Sequence, residues 1–95
     1  MPYVVCNIDE GLRPSEVTVE VRDIQARPEF LRVPRDFVKQ FNGHYYLPIG
    51  IVYHDRDNDR FWIELPHEAD SGINRLWVSR QDLHDPQKRA EAIAT

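Results

Sequence analysis

The stretch VTVEVR, residues 17–22, alternates without exception between apolar and polar side chains. Because successive side chains of a β-strand point to opposite faces of a sheet, this period of two predicts a strand with one buried face. Residues 60–65, RFWIEL, show a similar alternation of Phe61, Ile63 and Leu65 with polar or amphipathic neighbours. The two stretches together predict an antiparallel, β-rich fold.

A long strand is predicted over residues 45–53, with its return over residues 60–65. The polar segment HDRDND, residues 54–59, forms the turn between them, so this hairpin is expected to be central. Pro48 cannot donate to a strand ladder, and Gly50 follows it closely. The first strand is therefore expected to lie at an edge or to bend there.

Shorter β-prone runs occupy residues 3–8, 30–33 and 75–78. Residues 34–41, PRDFVKQF, are expected to form one or two helical turns, which Asn42 and Gly43 would end in the left-handed conformation.

Two further turns are expected after the last of these runs. Residues 79–83, SRQDL, predict one turn in which Ser79 accepts from backbone N–H groups. Asp85 and Pro86 would begin a short C-terminal helix.

About five short strands separated by frequent turns predict a mainly β fold, a small barrel of antiparallel strands. The layout resembles that of SH3-like small β-barrels over residues 15–83, with residues 1–14 as an N-terminal strand and loop and 84–95 as a helix or tail. The resemblance implies a fold and no activity, because the peptide-binding motifs of SH3 domains have no counterpart here. The expected core comprises Val17, Val19, Val21, Ile49, Ile51, Phe61, Ile63, Leu65, Leu76 and Val78.

Composition limits the classes of function. The chain has 95 residues, enough for one domain, and a formal net charge of -4 from 12 basic and 16 acidic side chains. Neither half is a basic block, which disfavours nucleic-acid binding. Cys6 is the only cysteine, so an intrachain disulfide and a thiolate zinc site are excluded. No signal-peptide pattern or long apolar run is present, so a cytoplasmic location without membrane contact is predicted.

Two patterns could indicate metal chemistry. Aspartates alternate in residues 55–59, DRDND, as in a calcium loop, but Arg60 and Pro66 occupy the positions of its glycine and its bidentate carboxylate. His54, His67 and His84 lie near carboxylates without a fixed ligand spacing. We therefore predict no metal, no cofactor and no catalytic residue, and retain a metal-assisted hydrolase or nuclease as the alternative.

Trp62 and Trp77 are the main candidates for a binding surface. If Phe61, Ile63, Leu76 and Val78 face the core, both tryptophans lie on the opposite face, where they form an apolar patch bordered by charge. The alternative is that a second layer covers them. The loop after residue 66 is longer than a hairpin requires, although its Asp-Ser-Gly segment also fits a simple turn. The predicted binding residues are Trp62, Trp77, Tyr46, Arg75, Glu64, His67 and Asp70.

The sequence thus favours a non-catalytic interaction module that binds a protein partner or a second copy of itself. The alternatives are the metal-assisted enzyme and a nucleic-acid-binding small barrel, since aromatic surfaces can stack on bases.

Overall fold

A computed structural model describes residues 1–10 and 13–85, which form two antiparallel sheets and two short 3-10 turns. The turns are Arg35–Phe37 and Arg80–Asp82. The strands are β1 (Tyr3–Glu10), β2 (Glu16–Arg22), β3 (Pro28–Pro34), β4 (Lys39–Phe41), β5 (His44–Pro48), β6 (Gly50–Asp55), β7 (Arg60–Glu64), β8 (Arg75–Ser79) and β9 (Leu83–His84). The mainly β class is confirmed. The predicted C-terminal helix lies largely outside the described residues.

The larger sheet has the order β3-β2-β1-β5-β4, and β9 also pairs with β1. The alternating stretch that predicted a strand forms β2, and Val17, Val19 and Val21 are completely buried. β1 lies at the centre of this sheet, because it pairs with β2 through residues 7–10 and with β5 through residues 3–6. The N-terminal segment is thus an integral part of the sheet.

The smaller sheet has the order β6-β7-β8, and it contains the predicted hairpin only in part. The expected strand over residues 45–53 is divided at Pro48: its first half joins the larger sheet as β5, and its second half joins the smaller sheet as β6. Proline offers no N–H to a ladder, and the next residue, Ile49, donates its N–H to the Pro2 carbonyl at 3.1 Å. The chain therefore passes from one sheet to the other at this point.

The core is formed by apolar side chains from both sheets and leaves no described polar residue buried. Nine of the ten predicted core residues are buried as expected, and Val4, Cys6, Leu31, Val33, Leu47 and Ala69 complete the cluster. The prediction for Ile51 is wrong, since its side chain is 46% exposed. Ile51 lies opposite Ile63, but it belongs to the outermost strand and precedes a bulge, so it has a neighbouring strand on one side only.

The two sheets are not closed into a barrel, unlike the arrangement expected from the sequence. Within the described residues, the outer strands of one sheet form no ladder with those of the other. No described helix is long and apolar enough to cross a membrane.

Two predicted short turns are present, in residues 34–41 and 79–83, but each differs in one detail. Residues 34–41 form only one 3-10 turn before the chain becomes extended at Val38 and continues into β4. Asn42 and Gly43 do adopt positive φ angles, of 51° and 81°, but they do so in the β4–β5 hairpin. Ser79 makes no backbone cap; its hydroxyl donates to the Asp82 carboxylate at 3.2 Å.

The edges of β3 and β8 are covered by neighbouring turns and loops. At β3, the Asp70 N–H donates to the Phe30 carbonyl at 2.8 Å, and Arg32 forms an ion pair with the Asp70 carboxylate at 2.6 Å. At β8, the Ile24 N–H donates to the Trp77 carbonyl at 2.8 Å. The long loop after β7 therefore has a structural role in closing a sheet edge.

The Asp23 carboxylate organises the turn that reaches β8. It accepts hydrogen bonds from the N–H groups of Gln25 and Arg27 at 2.8 and 2.9 Å and from Nε of Arg27 at 3.0 Å. Burial alone would raise the pKa of Asp23, but these bonds with Arg27 and Gln25 outweigh it and lower the pKa below its ordinary value. Ala26 is held at a φ of 64° in the same turn.

Replacing Asp23 by alanine is expected to lower the free energy of unfolding by about 1 kcal/mol, because two backbone donors lose their acceptor. Asp23→Asn keeps one acceptor oxygen and should lose less. Since the folded pKa is lowered, the stabilisation by the carboxylate is present above its unfolded pKa and is lost as the pH falls through the folded value. Urea titrations at neutral and acidic pH measure both effects, and equal stability of wild type and Asp23→Ala at neutral pH would contradict the assignment.

Candidate functional site

Three aromatic side chains form a row across the outer face of the smaller sheet. Trp62 on β7 lies directly opposite Trp77 on β8, with ring centroids 5.2 Å apart, and Tyr53 on β6 lies opposite Trp62 on the other side. The Tyr53 and Trp77 rings also meet edge to face at 6.3 Å. We call Tyr53, Trp62 and Trp77 the aromatic row. The alternation of β7 and β8 placed both tryptophans on this face.

The aromatic row is partly exposed, and its members shield one another. Both tryptophans are half-buried, whereas Tyr53 is 59% exposed. The guanidinium carbon of Arg60 lies 4.2 Å from the centre of the Trp77 ring, a cation–π contact. The row is thus an ordered apolar surface that remains accessible.

Charged side chains border the row on both sides. Arg75 donates to the Glu64 carboxylate at 3.2 Å on one side, and Arg60 donates to Asp55 at 3.0 Å on the other. Hydrogen bonds from Asn58 and Arg60 lower the pKa of Asp55. Exposed pairs of this kind add little to stability, but they fix the orientation of the bordering residues.

The row continues into the edge of the smaller sheet. Ile51 and Val52 on β6 precede Tyr53 and are both exposed, so three consecutive apolar residues face solvent. The ladder with β7 has an irregularity between Ile51 and Tyr53, which places Val52 in a bulge. Sequence reasoning missed these residues as site candidates, although Pro48 indicated an edge and the apolar run 51–53 broke the alternation.

Tyr46, predicted to join the tryptophans, lies elsewhere. It belongs to β5 in the larger sheet, where its ring lies 5.8 Å from that of Phe41 and 5.0 Å from that of His84. The division of the predicted strand at Pro48 separates it from the smaller sheet.

The two predicted loop residues have partners of their own. The His67 ring stacks on Phe37 with centroids 5.9 Å apart, and Asp70 forms the ion pair with Arg32. The structure thus brings Trp62, Trp77, Glu64 and Arg75 together, and it does not add Tyr46, His67 or Asp70 to them.

A groove of about 730 Å³ adjoins one end of the outer face. Its apolar lining includes Tyr3, Phe37 and Leu65, and it shares Gly50 and Glu64 with the smaller sheet. This groove therefore does not coincide with the aromatic row but begins beside its charged border.

The residues considered for metal chemistry are engaged separately. The His54 ring stacks on Phe61 at 4.0 Å, and its Nε2 lies 3.1 Å from the Asp59 carboxylate. Asp59 also accepts from Arg80 at 3.0 Å, and these two partners, Arg80 first, lower its pKa. In residues 1–10 and 13–85 no group of three or more His, Cys, Asp or Glu side chains is placed to hold a metal ion.

Comparison of the chain with protein-family models, with curated proteins and with solved structures gives no match.

Proposed function

We propose that this protein is a non-catalytic interaction module that binds a protein partner, or another copy of itself, through the aromatic row and the adjoining edge of β6. One observation carries the proposal: Tyr53 is exposed on the same face of the sheet as Trp62 and Trp77, at an edge where Ile51 and Val52 are also exposed. An apolar surface bordered by charge is typical of protein interaction sites.

The composition of this surface supports the proposal. Tryptophan, tyrosine and arginine are the residues most often responsible for binding energy at protein interfaces. Mutual ring contacts and the stacked Arg60 already order the row, so its own side chains lose little conformational entropy when a partner binds.

The charged border and the groove could make the surface specific for one kind of partner. Glu64 and Arg75 offer one charge of each sign beside the row, which favours a partner with the complementary pair. The groove that begins at Gly50 and Glu64 offers a concave apolar surface for a side chain of the same partner.

Less supports the other functions considered from the sequence. The histidines of a metal-assisted enzyme have separate ring or carboxylate partners in different parts of the fold. The net charge of -4 disfavours a nucleic-acid ligand. The resemblance to SH3-like barrels concerns only the layout of the strands. We assign no binding residue on the basis of it. We infer a cytoplasmic location from the single buried cysteine.

Alanine variants of the row test the proposal. Trp62→Ala and Trp77→Ala should each weaken association by at least about 2 kcal/mol, because each removes a large apolar contact at the interface. Binding is measured by sedimentation of the purified protein and by affinity capture from a cell extract with each variant as bait.

The control is Phe30→Ala, which removes an exposed aromatic ring from the larger sheet. It should keep every association that the wild type makes. If the tryptophan variants keep those associations too, while retaining the wild-type circular dichroism spectrum, the row is not the binding surface.

A further inference from the structure

The edge strands of the two sheets are β3, β4, β6, β8 and the two-residue β9, and these edges differ in how they are protected. The edge of β3 is covered by the loop that contains Asp70, and that of β8 is bonded to Ile24. β4 is only three residues long. β6 is six residues long and, within the described part of the chain, has a backbone partner only on the side of β7.

β6 also lacks the side chains that normally prevent edge-to-edge pairing. Charged residues and prolines usually interrupt an exposed edge, and residues 50–54, GIVYH, contain neither. The bulge at Val52 is the one protective feature of this strand. Asp55, the first carboxylate, is engaged by Arg60 at 3.0 Å and is therefore turned toward its own sheet.

An unpaired edge requires a specific kind of occupant. Water can solvate its free N–H and C=O groups, but only another extended backbone bonds them in register along the edge, so an occupant that uses the whole edge is a strand and not a helix or a small molecule. Three exposed apolar side chains further require an occupant that is apolar over about three residues.

We infer that β6 pairs antiparallel with the β6 of a second copy, which joins the two smaller sheets into one sheet across a twofold axis. The inference rests on the proposed function and names the partner at that surface. β6 itself meets both requirements, since it is extended and apolar over residues 51–53.

Charge and symmetry favour this pairing. A twofold antiparallel arrangement centred near residues 52 and 53 places each apolar segment against the other. In such a pair the Asp55 end of one strand lies beside the Gly50 end of the other, so the two carboxylates are kept apart. Tyr53 of each copy would lie near the axis, and the two aromatic rows would become continuous.

The strength of the dimer follows from its size. Each copy contributes one strand and three exposed apolar side chains, which is small for a stable interface. We therefore expect a dissociation constant in the micromolar range rather than an obligate dimer.

Analytical ultracentrifugation of the full chain from about 1 to about 500 µM tests the inference, since this range spans dissociation constants typical of small interfaces. The wild type should change from monomer to dimer over this range. Ile51→Lys and Val52→Lys should each raise the dissociation constant at least about tenfold, because a lysine on an exposed edge opposes pairing. Ile73→Lys is the matched control: it places the same charge on a similarly exposed residue of the loop and should dimerise as the wild type does.

The outcomes separate this inference from the proposed function. A wild type that stays monomeric over the whole range overturns the inference. A dimer that persists in both edge variants but dissociates in Trp77→Ala also overturns the inference. The proposed function stands in that case, because the aromatic row then holds the two copies together. A dimer lost in both edge variants and kept in Ile73→Lys supports the inference. A nuclear Overhauser effect between Tyr53 residues of differently labelled copies confirms the register near the axis.

Discussion

Replacing Ile63 by alanine should destabilise the protein by about 2–5 kcal/mol. Ile63 is completely buried on β7, the central strand of the smaller sheet, and is one of the largest fully buried side chains. The truncation removes buried apolar surface and leaves a cavity between Ile51 and Leu76, its partners on the adjacent strands. Urea denaturation, followed by tryptophan fluorescence, measures the loss.

Ile51→Ala is the matched control, because the same residue type lies directly opposite Ile63 with almost half of its side chain exposed. It should cost less than about 1 kcal/mol, since the truncated atoms are already partly in water. Similar losses for the two variants would show that the smaller sheet does not bury one face against the core.

The Cys6 thiol should react with iodoacetamide about a thousandfold more slowly in the folded protein than in urea, because its pKa is higher in the folded protein. Cys6 is buried on β1, and burial raises the pKa of its thiol from the ordinary 9.0 to about 12. Because the thiolate is the reactive form, this higher pKa reduces its population at neutral pH by the same factor. Mass spectrometry of timed samples measures both rates.

The raised pKa of Cys6 also makes stability depend on alkaline pH. Between about 9 and about 12 the unfolded thiol is ionised while the folded thiol of Cys6 stays protonated. The contribution of Cys6 is thus complete below the unfolded pKa and declines as pH rises through this window, by up to about 1.4 kcal/mol per pH unit. Cys6→Ala should remove this part of the pH dependence. Rapid labelling of the native protein at the rate of a free thiol would contradict the burial.

Much of the fold could be predicted because a strand with one buried face shows a regular alternation of apolar and polar residues. The alternation in residues 17–22 identified which valines are buried, and that in residues 60–65 assigned opposite faces to Phe61 and Trp62. These inferences need only the period of a strand, which is a local property.

The sheet assignments could not be predicted in the same way. Pro48 indicated an interruption of the strand. Whether the chain then bends within one sheet or crosses to another depends on which distant strands pair with the residues on each side of Pro48. Ile51 was misassigned for a related reason: alternation gives the face of a residue, while its exposure also depends on whether a neighbouring strand covers it.

The candidate site was predicted in its centre and missed at its edge. Trp62, Trp77, Glu64 and Arg75 follow from alternation along two neighbouring strands. Tyr53 and Val52 required knowledge of the bulge, and the separation of Tyr46 required knowledge of the crossing at Pro48. Each depends on contacts between residues that are far apart in sequence.

The central position of β1 sets the order in which this protein can assemble during synthesis. Tyr3 pairs with Pro48 and with His84, so β1 leaves the ribosome before these two partners are synthesised. The β6-β7-β8 meander contains only neighbouring strands and can close as soon as it is complete. Delayed closure of the larger sheet leaves the apolar side chains of β1 and β2 without their packing partners in the nascent chain, and exposed apolar surface of this kind promotes aggregation.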